Sequence, residues 1–94
     1  MEQLTKEKVL KYIKLTEKAI SKVKFKKNLD PYLQKTAEEF LEMAKSYYID
    51  SKYFLEKDQL VNAFGAINYA HGWLDAGSKL GVFNVKDSKL FVLK

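Results

Sequence analysis

Ninety-four residues make one small domain, and 47% hydrophobic with 14% aromatic residues suffices for a single modest core without staples. There is no cysteine and only one histidine, which excludes disulfides, a thiolate nucleophile and any Cys- or His-rich metal site, and no cofactor is expected. The formal charge is +5 and all 17 basic residues are lysine, so the bidentate arginine contacts common in phosphate and guanine recognition are missing.

The first helix is expected over residues 5–24. Val9, Ile13, Thr16, Ile20 and Val23 recur at spacings of 4, 3, 4 and 3, one face of a helix, with Tyr12 and Ala19 widening the stripe. Thr5 suits the N-cap, although Lys8 stands where a capping box would carry Glu. The opposite face holds Lys8, Lys11, Lys14, Lys18 and Lys22. Residues 1–29 carry nine lysines against Glu2, Glu7 and Glu17, a balance of +6. Such a face is ordinarily solvated surface; the functional alternative is a stripe that attracts anions diffusely.

Phe25 to Leu29 interrupt the pattern. Asp30-Pro31 then opens a second helix, expected over residues 31–56, with Asp as N-cap and Pro at the first helical position. Its core positions are Leu33, Ala37, Phe40, Leu41, Ala44, Tyr48, Ser51 and Leu55. Residues 30–60 reverse the charge, four lysines against seven acids. Lys57-Asp58 is a short connection, which makes the flanking helices antiparallel neighbours, and Asp58 is the expected N-cap of the third.

The third helix, expected over residues 59–80, organises the rest. Between Gln59 and Ser78 its only formal charge is Asp75, with His71 the other titratable group. A surface helix normally keeps one charged face, so this one is expected to be covered on more than one side. The core seam is Leu60, Ala63, Ile67, Ala70, Leu74 and Gly77. Phe64, His71 and Asp75 flank it on one side, Ala66 and Trp73 on the other, and Gly65, Asn68, Tyr69, Gly72, Ala76 and Lys79 lie opposite. Interior glycines cost about 0.5–1 kcal/mol each; close approach of another backbone, the arm or a partner helix, is the expected compensation, the alternative being a locally weak helix with no partner there. Gly81 suits a left-handed C-terminal cap closed by Val82. Residues 83–94 change period, and Lys89-Leu90-Phe91-Val92-Leu93 reads as a short extended arm that packs somewhere, or as a frayed end.

Phe40-Leu41-Glu42-Met43-Ala44-Lys45-Ser46-Tyr47-Tyr48, Tyr69-Ala70-His71-Gly72-Trp73-Leu74-Asp75-Ala76-Gly77 and Leu80-Gly81-Val82-Phe83 together resemble the archaeal domain of unknown function 357 family over about residues 8–85. That resemblance implies an archaeal source and an up-and-down three-helix bundle, and no known activity, cofactor or catalytic residue. The hairpin from Phe40 to Leu74 is also similar to tetratricopeptide-type repeat units and to three-helix modules that bind partner helices. A fainter likeness is to helical partners of minimal nucleotidyltransferases, some of them ribonucleases with an Arg a few residues before a His. This chain has no Arg, so that activity is not supported.

The expected fold is therefore all-α: a single domain, residues 1–94, forming an up-and-down three-helix bundle with a short extended C-terminal arm over residues 83–94. Gly65, Asn68, Tyr69, His71, Gly72, Trp73, Asp75 and Ala76 form the candidate interaction surface, small and aromatic, suited to self-association or to holding a partner helix. A His71–Asp75 pair could orient a general base, yet no nucleophile, glycine-rich phosphate loop or carboxylate pair at metal spacing accompanies it. No catalytic residue and no metal ligand are assigned. No apolar run reaches the roughly 18 residues of a membrane span, and Met1 to Lys6 show no signal-peptide character. The expectation is a soluble cytoplasmic, non-enzymatic protein-interaction or self-association module. The alternative is a weak binder of nucleic acid or an anionic surface through Lys8, Lys11, Lys14, Lys18 and Lys22, blind to sequence and steeply salt-dependent.

Overall fold

The computed structural model describes residues 3–93. Met1, Glu2 and Lys94, the last residue of the expected arm, lie outside the described residues. Three helices run up, down and up: α1 (Lys6–Lys22), α2 (Pro31–Glu56) and α3 (Leu60–Leu80). Among the described residues the only strand-like pairing is one antiparallel bridge, Phe25 with Phe83.

Local chemistry sets the helix starts. Thr5 Oγ1 accepts the Lys8 N–H at 3.1 Å, and Asp30 Oδ1 accepts the Leu33 N–H at 2.9 Å ahead of Pro31. α1 stops at Lys22, two residues short of the expected end, because Val23 turns extended (φ −68°, ψ 129°) and leads into the bridge. At the end of α3, Gly81 is left-handed (φ 88°); its N–H reaches Ser78 O at 3.1 Å and the Val82 N–H reaches Gly77 O at 3.1 Å.

The same double bond pattern ends α2, and it corrects the expected role of Asp58. The Asp58 N–H reaches Leu55 O at 3.1 Å and the Gln59 N–H reaches Phe54 O at 2.9 Å. Asp58 is thus the left-handed closing residue of α2 (φ 57°), not the N-cap of α3. The capping position of α3 falls to Gln59, which makes no side-chain cap bond. Asp58→Gly should therefore raise stability by about 0.5–1 kcal/mol, since glycine carries no Cβ penalty there. The exposed Lys6–Asp58 ion pair at 3.4 Å would be lost at little cost. Thermal melts check this; a helix N-cap would instead lose stability on the same change.

α2 and α3 share the largest interface. Ala37, Ala44 and Ser51 recur every seven residues along α2, Ala63, Ala70 and Gly77 along α3, and all six are buried. Small side chains at two-turn intervals let the two backbones approach closely. α1 packs across this hairpin and divides the core. Val9 and Ile13 join Ala63, Ile67 and Ala70 at one end. Ala19 joins Ala37, Ala44, Leu74, Val82, Phe83, Leu90 and Phe91 at the other.

The residues after α3 belong to that second cluster. The Lys26 N–H reaches Val82 O at 2.9 Å and the Asn84 N–H reaches Lys24 O at 2.6 Å, a two-rung ribbon whose Phe25 and Phe83 rings stack at 6.1 Å. Phe83 folds back over α3, and a β-carbon at Gly77 would stand only 2.1 Å from its Cε2, far inside contact distance. Gly77 is the glycine that close packing demands. Gly65 and Gly72, for which close approach was expected, have no atom within 4 Å of where a β-carbon would stand.

Candidate functional site

α3 has three sides. Towards α2 runs a ladder of rings. Tyr47 meets Tyr69 edge-on at 4.6 Å, Tyr69 meets Trp73 edge-on at 6.1 Å, and Trp73 leans on Phe40 at 5.2 Å. Each lies in the offset or perpendicular range that aromatic quadrupoles favour. Trp73 Nε1 is buried with no hydrogen-bond partner among the described residues. Beside the ladder opens a concavity of about 520 Å³, walled by Tyr47, Phe54 and Tyr69 and floored by Gly65 and Ala66. Val61 and Tyr69 stand at its rim, 77% and 54% exposed.

Towards α1 and the C-terminal tail, α3 presents His71, Asp75 and Ser78, spaced i, i+4 and i+7. Thr16 Oγ1 on α1 lies 3.0 Å from His71 Nδ1, and His71 Nε2 lies 2.6 Å from Leu90 O. A carbonyl only accepts, so Nε2 carries the hydrogen; in the neutral ring Nδ1 then accepts from the Thr16 hydroxyl. Asp75 Oδ1 accepts the Val92 N–H at 2.9 Å, and Ser78 Oγ donates to Val92 O. The Asp75 oxygen stands 3.9 Å from His71 Nε2, beyond hydrogen-bond range. Both ring nitrogens are thus engaged, Nδ1 by Thr16 of α1 and Nε2 by the tail, and the carboxylate serves Val92 rather than orienting the imidazole.

Lys11, Lys14, Lys18 and Lys22 are exposed on the outer side of α1, and Lys8 is half-buried. Lys22 pairs with Asp87 at 3.5 Å. The Lys89 backbone N–H, then Lys22 and Lys18, hold the Asp87 carboxyl below its usual range despite some opposing desolvation. Elsewhere, burial and then the hydrogen bond to Glu17 push the Tyr48 phenol up to about 12. The folded state therefore keeps this proton longer than the unfolded chain does. Its contribution is complete below about pH 10 and is lost as pH rises through the folded value. Denaturant melts across this window should show a steeper loss of stability for the wild type than for Tyr48→Phe. Among the described residues no group of three or more His, Asp or Glu side chains is placed to hold a metal ion, and no helix is long and apolar enough to cross a membrane.

A family described as "Protein of unknown function (DUF357)" matches residues 11–83. The chain belongs to the DUF357 family. No curated protein is significantly similar to this DUF357 chain. Among solved structures it is similar to the crystal structure of protein AF1782 from Archaeoglobus fulgidus, of the same family. The two are 27% identical with a TM-score of 0.69, over 86% of this chain and 92% of that one. The all-α three-helix architecture is thus that of a solved family member.

Within the DUF357 bundle, the eight residues of the candidate interaction surface divide among the three sides. Gly65, Asn68, Tyr69 and Gly72 lie exposed on the open side. Trp73 turns towards α2, and His71 and Asp75 towards the tail, all half-buried, as is Ala76. Sequence reasoning did not pick out Tyr47, Asp50, Phe54, Val61 and Asn62, which complete the open groove, or Ser78, which completes the tail contacts, and it read Thr16, which holds His71, only as a core position. The signal for Ser78 was present: His71, Asp75 and Ser78 are the polar residues of one edge of a nearly uncharged helix.

Proposed function

We propose that this protein is a non-enzymatic interaction module that self-associates through the open groove between α2 and α3. The observation that carries the reading is an exposed, largely apolar groove whose only charged lining residue is Asp50 and which holds no lysine, in a chain with 17 basic residues and a net charge of +5. Two copies so charged repel each other over most of their surface. They meet with least repulsion at this face, and a two-fold contact uses the same patch on both. The groove offers aromatic walls, Tyr47 and Tyr69, of the kind that dominate contact energies. The non-enzymatic part rests on His71 and Asp75, the acid–base pair legible in the sequence, being taken up by Thr16 and the tail backbone.

Sedimentation of the wild type beside a Val61→Lys, Tyr69→Lys double variant tests this. A concentration-dependent dimer in the wild type, lost in the variant with unchanged helicity, is the expected result; a wild type monomeric at every concentration defeats the reading. Gly72→Ala adds a control on stability. With no atom within 4 Å of the new methyl, the dilute protein should gain up to about 1 kcal/mol in a thermal melt.

A further inference from the structure

The tail is held in the way a separate peptide would be held. Three backbone groups of the tail, Leu90 O, Val92 N–H and Val92 O, face α3, and each meets a side chain: His71 Nε2, Asp75 Oδ1 and Ser78 Oγ. In strand addition, a receptor strand reads a peptide through main-chain atoms. Here a helix edge does so with side chains one turn apart. Two side chains fill sockets, Leu90 and Phe91, each 4% exposed, while Lys89, Val92 and Leu93 stay at the surface. Thr16 fixes the His71 ring from the far side, so that edge is preorganised by α1 and does not depend on the tail for its orientation.

A short connector joins the ribbon to the tail, although Val85 within it packs against the core cluster. The ribbon ends at Asn84, and the turn begins at Asp87, whose carbonyl accepts from Leu90 and Phe91 at 3.1 and 3.0 Å and whose carboxylate accepts from the Lys89 N–H at 2.9 Å. Among the described residues, Val85 and Lys86 between them take no part in the backbone bonds of either. The turn is closed by its own backbone bonds and is tied to α1 only by the partly exposed Lys22–Asp87 ion pair at 3.5 Å.

We propose that the cleft between α1 and α3 is a peptide-binding site for a segment that leaves a tight turn and bears two adjacent large apolar side chains, and that residues 89–93, which turn at 88–90 where an extended arm was expected, occupy it as a tethered competitor. The partner is another protein's tail or linker carrying such a pair. Because the contacts are to backbone atoms, the edge sets alignment and the two sockets set sequence preference. The tethered tail lowers the apparent affinity of the intact chain by the small fraction of time the site stands open. This site lies on a different side of α3 from the self-association groove, so neither reading depends on the other.

The test uses the full chain and a fluorescent peptide, Lys-Asp-Ser-Lys-Leu-Phe-Val-Leu, read by anisotropy. Val92→Pro removes the N–H that Asp75 accepts and weakens the tethered tail while leaving the site intact; Phe91→Ala empties one socket. Expected are saturable binding at least tenfold tighter to either variant than to the wild type, loss of at least tenfold on adding Asp75→Ala, and no binding of a peptide with Asp-Gly in place of Leu-Phe. Helicity is followed by circular dichroism throughout. Equal affinity for wild type and variants, or no binding to a helical variant, overturns the proposal. Collapse of helicity in both tail variants overturns it too, because the tail would then be an inseparable part of the core.

Discussion

Phe91→Ala should lower the unfolding free energy by about 3–5 kcal/mol, the range for deleting a buried ring. The ring is 4% exposed, and the cluster around it includes Ala19, Ala37, Ala44 and Leu74. The Leu90 side chain would stay, so the loss reports on the ring and on the looser seating of the tail that follows from it. Urea melts of the variant and of Leu93→Ala make the comparison. Leu93 is 38% exposed and should change stability by no more than about 0.5 kcal/mol. Similar midpoints for the two variants would mean that the tail is not seated as described.

Gly77→Ala should cost about 1–3 kcal/mol, the opposite sign to the usual helix-interior glycine replacement. The new methyl would stand 2.1–2.6 Å from atoms of the Phe83 ring, itself only 2% exposed and stacked on Phe25. The ring cannot swing outward without breaking that stack and straining the ribbon bonds at Val82 and Asn84. A double-mutant cycle gives the sharper measurement. In a Phe83→Ala background the clash is gone, and Gly77→Ala should turn neutral or stabilising. A cost that persisted in that background would place the collision elsewhere.

The helices themselves were legible because their determinants are local. Thr5, Asp30-Pro31 and Gly81 act on residues within one turn, and the apolar spacing needs only the chain's own geometry. The flanks of α3 were legible for the same reason: Phe64 and His71 face α1, and Trp73 faces α2. Asp58 was not, because one residue sits between two helix ends and aspartate suits both positions. The Gln59 bond back to Phe54 decides between them. The glycines misled for a related reason. Gly65 and Gly72 stand out on a wheel by lying away from the core, whereas the close approach occurs at Gly77, where a neighbour only six residues onward folds back on it. The tail's position was illegible because α3 binds it through backbone atoms, which every residue has.

The matched seven-residue repeats of small side chains in α2 and α3 bear on how the chain reaches this structure. Only Lys57, Asp58 and Gln59 separate the two helices, so their interface closes over short sequence distances, at low loop-closure cost. The tail latch joins residues 16, 71 and 90, which only meet once all three helices exist. Folding rates follow such separations. The α2–α3 hairpin is accordingly the early, slow-exchanging unit, with α1 closing on it and the tail docking last. The order reverses on opening: the last segment to dock is the first to leave, and the hairpin stands while it does.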